Sequence, residues 1–287
     1  MTSFRFNFSG ETVSNVNAST ADSSKVIQWF DSCEVVPEHQ IKNFDEKVTR
    51  AKMFACGDVE IGHVVASEAL ARIEESGLEN AVKLADKEHS DLVAGTYEGG
   101  FKVWECTYDL VEFLENETEV NFDSKNVIDL GCGTGILGIY AFLKGSLVTF
   151  QDYNKEVLEY VTIPNVLLNI EEESNRAIEI KKCKFYSGDW NSFNKKLPDD
   201  IAYDYILASE TIYNPCNYDK LISLFIQRLK KDGAVYVAAK TYYFGIGGGI
   251  REFELAIESN GKLKSCVCWK STGGIQREII KITHNKP

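Results

Sequence analysis

The fold is decided by one stretch of the sequence, Val127-Ile128-Asp129-Leu130-Gly131-Cys132-Gly133-Thr134-Gly135-Ile136-Leu137-Gly138. Its first four residues are mostly apolar, which predicts a buried strand, and the apolar residues from Ile136 onward predict a helix. The glycines between them permit a tight turn and the close approach of a ligand. The helix that follows offers free backbone N–H donors in its first turn. The stretch therefore predicts a strand, a glycine turn and a helix, with a ligand site at the turn.

Strands and helices alternate along the chain after this turn. Predicted strands cover residues 127–130, 147–151, 182–186, 203–208 and 234–239, and predicted helices cover residues 136–143, 155–169, 220–230 and 250–259. Such alternation indicates an α/β fold with an open, mostly parallel sheet and helices on both faces. Two further strands, 263–269 and 276–282, are joined by a short link and should pair antiparallel. A parallel sheet closed by such a hairpin resembles the seven-stranded, Rossmann-like sheet of class I S-adenosyl-L-methionine (SAM)-dependent methyltransferases.

The N-terminal third differs in pattern from the rest of the chain. We predict that residues 1–90 form an N-terminal extension, partly disordered with short helices, and that residues 91–287 form the methyltransferase domain. Residues 9–24 are rich in Ser, Thr, Asn and Asp, which is typical of disorder. A helix is predicted over residues 66–87, and a hairpin over residues 92–104.

Composition excludes several classes of protein. The 287 residues carry 31 basic and 43 acidic side chains, a net charge of −12, which argues against direct nucleic-acid binding. No apolar run is long enough to span a membrane, and no secretory signal is visible. The eight cysteines and four histidines lack metal-ligand spacing, so no metal site is predicted. Reduced thiols indicate the cytosol or the nucleus.

The ends of the next two predicted strands supply candidate ligand-binding residues. Asp152 lies 21 residues after Gly131, the distance expected of a carboxylate that accepts hydrogen bonds from ribose hydroxyls. Asp189 and Trp190 follow the third strand at the same sheet edge, where an indole can stack on an adenine. The glycine turn fits both the G-x-G-x-x-G pattern of dinucleotide binding and the G-x-G-x-G pattern of SAM binding. These residues alone therefore do not separate NAD from SAM.

Longer motifs carry a resemblance to a known family. Residues 99–107, 129–135, 150–154, 188–190, 209–215 and 243–249 occur in an order that resembles the histidine protein methyltransferase 1 homolog family of seven-β-strand methyltransferases. The resemblance implies a SAM-dependent protein-histidine N-methyltransferase. It also implies a protein substrate, a large-subunit ribosomal protein (L-three), with methylation at the remote (tele) nitrogen of one histidine. Cytoplasmic and nuclear localisation is expected, with the nucleolus as an option, and the oligomeric state is open.

The same resemblance, together with the glycine turn, assigns the cofactor contacts. They are expected at Val103, Trp104, Glu105, Cys106, Thr107, Gly131, Gly133, Gly135, Gln151, Asp152, Tyr153, Gly188, Asp189, Trp190 and Ser209.

A histidine nucleophile sets a particular chemical requirement. Its ordinary pKa of about 6.5 leaves it largely neutral at physiological pH, so it needs little help from a general base. It does need the correct tautomer, which a hydrogen-bond acceptor on the other ring nitrogen supplies. Glu210, Tyr213 and Asn214 follow the fourth strand and are the candidate catalytic residues.

Three alternatives remain at this point. The same chemistry on lysine is the first, because related seven-stranded enzymes carry similar Trp-Glu and Asp-Trp elements. The second is a SAM-binding regulatory or chaperone-like module. The third, an NAD-dependent dehydrogenase, is disfavoured by the terminal hairpin and the later motifs.

Overall fold

The computed structural model describes residues 29–42, 44–75 and 95–285. Its strands are β1 (Cys33–Glu34), β2 (Ala51–Cys56), β3 (Val59–Val64), β4 (Asn126–Leu130), β5 (Leu147–Asp152), β6 (Cys183–Ser187), β7 (Tyr203–Ser209), β8 (Leu229–Lys240), β9 (Leu263–Lys270) and β10 (Arg277–His284). Its α-helices are α1 (Glu38–Lys42), α2 (Phe44–Lys47), α3 (Ala66–Glu75), α4 (Glu105–Asn116), α5 (Ile136–Leu143), α6 (Lys155–Val157), α7 (Ile163–Leu168), α8 (Arg176–Glu179), α9 (Trp190–Lys196), α10 (Tyr218–Arg228) and α11 (Ile250–Asn260).

One eight-stranded sheet organises the molecule. Its strand order is β1-β6-β5-β4-β7-β8-β10-β9. The five central strands from β6 to β8 run parallel, while β10 pairs antiparallel with both β8 and β9. This order confirms the predicted α/β fold with a parallel sheet and an antiparallel terminal hairpin. The predicted seven strands are all present, and β1 adds an eighth at the edge.

Two large apolar clusters fill the space between the sheet and its helices. One includes the fully buried Phe150 and Leu110 under α4 and α5, and the other includes Phe225 and Phe253 of α10 and α11. Each of these helices buries an apolar face. Removing apolar surface from water stabilises the fold by about 25 cal/mol for each Å² buried. Packing on both faces holds the ends of the parallel strands in fixed positions. In the described part of the chain, the helices are all too short or too polar to span a membrane.

Residues before the methyltransferase domain also pack on this core. The strands β2 and β3 pair as a hairpin, with Phe54 and Ile61 fully buried. The side-chain oxygens of Asn165, on α7, and Asn169, directly after it, accept hydrogen bonds from the N–H groups of Val64 and Gly62 at 2.7 and 2.9 Å, respectively. The hairpin is therefore joined to the domain by both apolar burial and amide hydrogen bonds.

Some sequence predictions differ from the structure or lie outside its described part. The hairpin predicted over residues 92–104 is wrong for residues 95–104, which form turns with a single bridge residue, because two Gly-rich turns interrupt the alternation. The helix predicted over residues 66–87 is described as α3 up to Glu75, and its remainder lies outside the described residues. The predicted disorder of residues 9–24 and the domain boundary at residue 90 also lie outside them and stay predictions.

Candidate functional site

A cavity of about 840 Å³ opens at the carboxyl ends of the parallel strands. Ligands of open α/β sheets bind at this edge. Most of the residues predicted from the sequence line it: Trp104, Thr107, Gly131, Gly133, Asp152, Tyr153, Gly188, Asp189, Trp190, Ser209, Glu210 and Tyr213. The remaining predicted residues lie behind or beside the cavity: Val103, Glu105, Cys106, Gly135, Gln151 and Asn214.

The glycine turn and Asp152 form one end of the cavity. Gly131 has φ +67°, and a Cβ there would lie 2.8 Å from the Cγ2 atom of Thr211, so only glycine fits. The Gly133 N–H donates to Asp152 Oδ2 at 2.8 Å, and the Asn154 N–H donates to Oδ1 at 3.0 Å. These two donors fix the carboxylate at the end of β5, against the turn.

Gln151 lies behind the cavity wall, next to Trp190. Its side chain is fully buried, and its Nε2 donates to the Gly188 carbonyl at 2.8 Å. The Trp190 indole N–H donates to Gln151 Oε1 at 2.7 Å. Gln151 therefore does not line the cavity but orients the Trp190 ring, which does.

Asp189 is held by its own helix and by a lysine. Its carboxylate accepts from the N–H groups of Asn191 and Ser192 at the start of α9, and it pairs with Lys220 Nζ at 2.5 Å. The ordinary N-cap role is thus present, as expected for Asp at a helix start. Lys220 was not identified from the sequence, because its contact depends on how α10 packs.

An N-terminal segment, residues 29–35, closes the same side of the cavity. The Asp189 N–H donates to the Phe30 carbonyl at 2.9 Å, and the Phe30 ring stacks on Tyr153 with centroids 5.2 Å apart. Trp29 lines the cavity, and Lys220 Nζ lies 3.5 Å from the Trp29 ring centroid, a cation–π contact. Sequence reasoning missed Trp29, since no local pattern marks a residue that reaches a site more than a hundred residues away.

Glu210, which also lines the cavity, occupies a crowded position. It has φ +57°, a conformation uncommon for residues other than glycine. Cys106 Sγ lies 3.0 Å from Glu210 Oε1, the Tyr243 hydroxyl donates to Oε2, and Lys240 Nζ lies 3.7 Å from Oε1. Burial and this carboxylate raise the pKa of the Cys106 thiol well above its usual value. Glu210 is therefore already occupied as an acceptor, and Cys106 is an unreactive neutral thiol.

The other two candidate catalytic residues have different surroundings. Tyr213 lines the cavity, and its hydroxyl donates to Glu98 Oε2. Asn214 instead accepts from the Cys216 N–H at 3.0 Å and caps a short 3₁₀ helix, Pro215–Asn217, beside the cavity. Of the three candidates, Tyr213 has the freest access to a ligand.

The remaining predicted residues support the walls. The Thr107 hydroxyl donates to Ser209 Oγ at 3.1 Å, which joins α4 to the end of β7. Glu105 is largely exposed and pairs with Arg277 at 3.5 Å. Val103 packs on the core, and Gly135, at φ +78°, begins α5 where a Cβ would meet Thr162 at 2.9 Å.

Comparison with known proteins identifies the family. Residues 89–243, more than half of the chain, match the family model described as "Lysine methyltransferase". A "Histidine protein methyltransferase 1 homolog" from Rattus norvegicus is 35% identical over 297 residues, which covers 94% of this chain and 81% of that protein. The chain belongs to the histidine protein methyltransferase 1 family.

Other members of this family, and one solved structure, show how far the similarity extends. A relative of the same name from Dictyostelium discoideum is 42% identical over 204 residues, or 70% of this chain. The match spans 62% of that relative's own length. A protein N-lysine methyltransferase from Xenopus tropicalis is 27% identical over 49% of this chain. The solved structure of SMU.776 complexed with SAH has a TM-score of 0.52 over 82% of this chain and 56% of that chain, at 13% identity, and so shares the fold.

The mouth of the cavity in this family member is apolar. Tyr242, Phe244, Ile246 and Ile275 line it and are exposed, Phe244 by 78% of its surface. Exposed apolar side chains grouped at a site indicate contact with another molecule. The mouth therefore offers an apolar surface on which another molecule can pack, and the same cavity is lined by the glycine turn and Asp152.

Proposed function

We propose that this chain is a SAM-dependent protein-histidine N-methyltransferase. One observation carries the proposal: one cavity is lined by a glycine turn with a buried carboxylate, by the Tyr213 phenol and by exposed apolar side chains. Family membership makes SAM the cofactor. When bound, SAM supplies a methyl group on a positively charged sulfur.

The residues present fit this cofactor. Asp152 offers carboxylate oxygens where ribose hydroxyls are expected, and Trp190 offers a ring face for the adenine. Thr211 lines the cavity, and its buried hydroxyl has no hydrogen-bond partner among the described residues, which leaves it available to a polar ligand atom. Glycine at residues 131 and 133 keeps the floor free of side chains.

The residues that line the cavity can position a histidine side chain and accept its N–H hydrogen bond. Positioning of nucleophile and methyl donor contributes about 7–11 kcal/mol to reactions of this kind. A neutral imidazole needs an acceptor for its N–H, and Tyr213, which lines the cavity, carries a phenol oxygen that can provide one. Neither the positioning of the histidine nor the selection of its tautomer needs a metal ion or a strong base.

The substrate that we propose is a histidine of a large-subunit ribosomal protein, L-three. The net charge of −12 suits a basic protein partner, and the apolar mouth suits a peptide segment around the target. Methylation of such a protein would take place in the cytoplasm or the nucleus. Lysine is the second candidate, because the matching family model is described as a lysine methyltransferase.

Residue-level mapping tests the proposal. The purified chain is incubated with methyl-labelled SAM and isolated large-subunit ribosomal proteins, and labelled peptides are sequenced by mass spectrometry. We expect label on the tele nitrogen of one histidine of L-three, and none with the Asp152→Ala chain. Label on lysine supports the second candidate, and no label together with no heat of SAM binding in calorimetry overturns both.

Cofactor affinity should depend on pH through Asp152. Burial and then the nearby Glu98 raise the pKa of Asp152 to about 6. Only the ionised carboxylate accepts from both ribose hydroxyls, so the ionised fraction, and the affinity with it, should fall roughly tenfold from pH 7 to pH 5. Asp129 stays largely protonated over this range, because burial raises its pKa to about 8. Calorimetry at several pH values measures this change, and a flat profile would contradict the assignment.

Trp29 should contribute to cofactor binding from the N-terminal segment. We expect Trp29→Ala to raise the dissociation constant for SAM about five- to tenfold, because a stacked or cation–π ring contributes about 1–2 kcal/mol. Trp269→Ala is the matched control, since Trp269 lies on β9 away from the cavity. Equal affinities of the Trp29 variant and the wild-type chain for SAM would show that Trp29 does not contribute to cofactor binding.

A further inference from the structure

Glu98 lies beside Tyr213 and was not predicted from the sequence as a site residue. It lines the cavity, and its Oε1 accepts from the Gly95 N–H at 2.7 Å while its Oε2 accepts from the Tyr213 hydroxyl. Its own backbone N–H donates to Asn154 Oδ1 at 3.1 Å. The carboxylate is thus fixed by the turn on one side and occupied by the phenol on the other.

This arrangement decides how the Tyr213 hydroxyl can meet a ligand. A phenol has one O–H donor and acceptor capacity on its oxygen. Because the hydrogen is committed to Glu98, the oxygen faces the cavity as an acceptor only. Burial and Glu98 also raise the pKa of Tyr213 well above its usual value, so the phenol keeps that hydrogen.

We propose that Glu98 is a positioning residue that acts through Tyr213 to select the histidine tautomer. The Tyr213 oxygen then accepts from one imidazole N–H and leaves the lone pair on the other ring nitrogen free to attack the methyl carbon of SAM. As the N–C bond forms, the bond from the methyl carbon to the sulfonium sulfur breaks, S-adenosylhomocysteine is left, and the methylated, positively charged ring releases its N–H proton to solvent. Without Glu98 the phenol hydrogen can turn into the cavity and donate to the imidazole, which favours the tautomer with its hydrogen on the reacting nitrogen, and that nitrogen then has no free lone pair. This inference rests on the proposed histidine methyltransferase function and adds a residue that keeps the reacting nitrogen free of hydrogen.

The neighbouring carboxylate is less suited to the same role. Glu210 already contacts Cys106, Tyr243 and Lys240, so its oxygens have little capacity left for a ligand. Burial raises the pKa of the Glu98 carboxyl, while the hydrogen bonds from the Tyr213 hydroxyl and the Gly95 N–H, and then the charge of Lys220, act in the opposite direction. Among the described residues, Glu98 is the acceptor to which the Tyr213 hydroxyl donates.

The isosteric variant Glu98→Gln tests the inference. A glutamine has one acceptor oxygen but would face two donors, the Gly95 N–H and the Tyr213 hydroxyl, so its amide nitrogen must oppose one of them. With purified L-three protein as substrate, we expect the same methylhistidine isomer to form more slowly, because part of the bound histidine then carries its hydrogen on the reacting nitrogen. The value of kcat should fall roughly 10- to 100-fold, while KM and the dissociation constant for SAM change less than about twofold.

Two further variants keep the test decisive. Tyr213→Phe should lower kcat to a similar extent, and the double variant should be no worse than either single one, because the two residues act as one unit. Glu258→Gln removes an exposed carboxylate on α11 and should leave kcat unchanged. Calorimetry with SAM checks that each variant is folded.

The outcomes distinguish a failure of this inference from a failure of the proposed function. If the wild-type chain methylates histidine and Glu98→Gln keeps kcat within about twofold of the wild-type value, Glu98 does not select the tautomer and this inference fails alone. If the Glu98 variant loses SAM binding as well as activity, the residue is structural, and the inference also fails. If the wild-type chain labels lysine or nothing, the proposed function fails and this inference with it.

Discussion

Replacing Asp152 by alanine should weaken SAM binding at least 100-fold. The carboxylate is expected to accept two ribose hydroxyls, and each hydrogen bond to a charged group contributes about 1.5–3 kcal/mol. The change also leaves the Gly133 and Asn154 N–H groups without their acceptor, so the glycine turn loses its fixed geometry. At about 1.4 kcal/mol for each factor of ten, a loss of roughly 3 kcal/mol exceeds 100-fold. Isothermal calorimetry with the purified variant measures it directly.

The control for this prediction removes a carboxylate elsewhere. Asp200 is exposed in the loop before β7, and Asp200→Ala should bind SAM as the wild-type chain does. An Asp152→Ala chain that kept its affinity within about threefold, some 0.7 kcal/mol, would remove the carboxylate from the cofactor site.

Replacing Arg228 by alanine should destabilise the fold by about 3–5 kcal/mol. Its guanidinium is 3% exposed and donates to the side chain of Asn194 and to the backbone carbonyls of Asn194, Leu197, Pro198 and Ile201. None of these acceptors is a carboxylate, and the substitution leaves the buried oxygens of Asn194 and Leu197 without the arginine donors. Urea unfolding followed by circular dichroism measures the loss.

An exposed arginine provides the comparison. Arg50 pairs with Glu68 at 2.7 Å, but its side chain is 71% exposed. Arg50→Ala should therefore cost less than about 1 kcal/mol, as surface ion pairs do. If Arg228→Ala were no more destabilising than Arg50→Ala, the buried guanidinium would not hold the C-terminal end of α9 in place.

The parallel sheet was predictable because its signals are local. Apolar strands, glycine turns and periodic helices each lie within about a dozen residues, and the connection rules for α/β folds then leave few topologies. Asp152 and Trp190 were predictable for the same reason, since the ends of neighbouring parallel strands must meet at one edge.

Other parts of the site depend on contacts that no local pattern encodes. The strand β1 has only two residues, and it pairs with β6 across 154 positions of sequence. Trp29 and Lys220 meet only once the sheet edge and α10 are in place. Glu98 carried a weak signal, a carboxylate directly before two glycines, but its role depends on where Tyr213 lies. The roles of Gln151 and Asn214 also came from packing, which placed one behind Trp190 and the other at a helix start.

The edge strand β1 has a consequence for the newly synthesised protein. During translation, Cys33 leaves the ribosome long before Ser187, its partner on β6, has been made. The tryptophan side of the pocket therefore cannot assemble on the nascent chain until most of the sheet has emerged. Closing so long a loop is slow, so the ability to take up the methyl donor should be one of the last properties that the maturing polypeptide acquires.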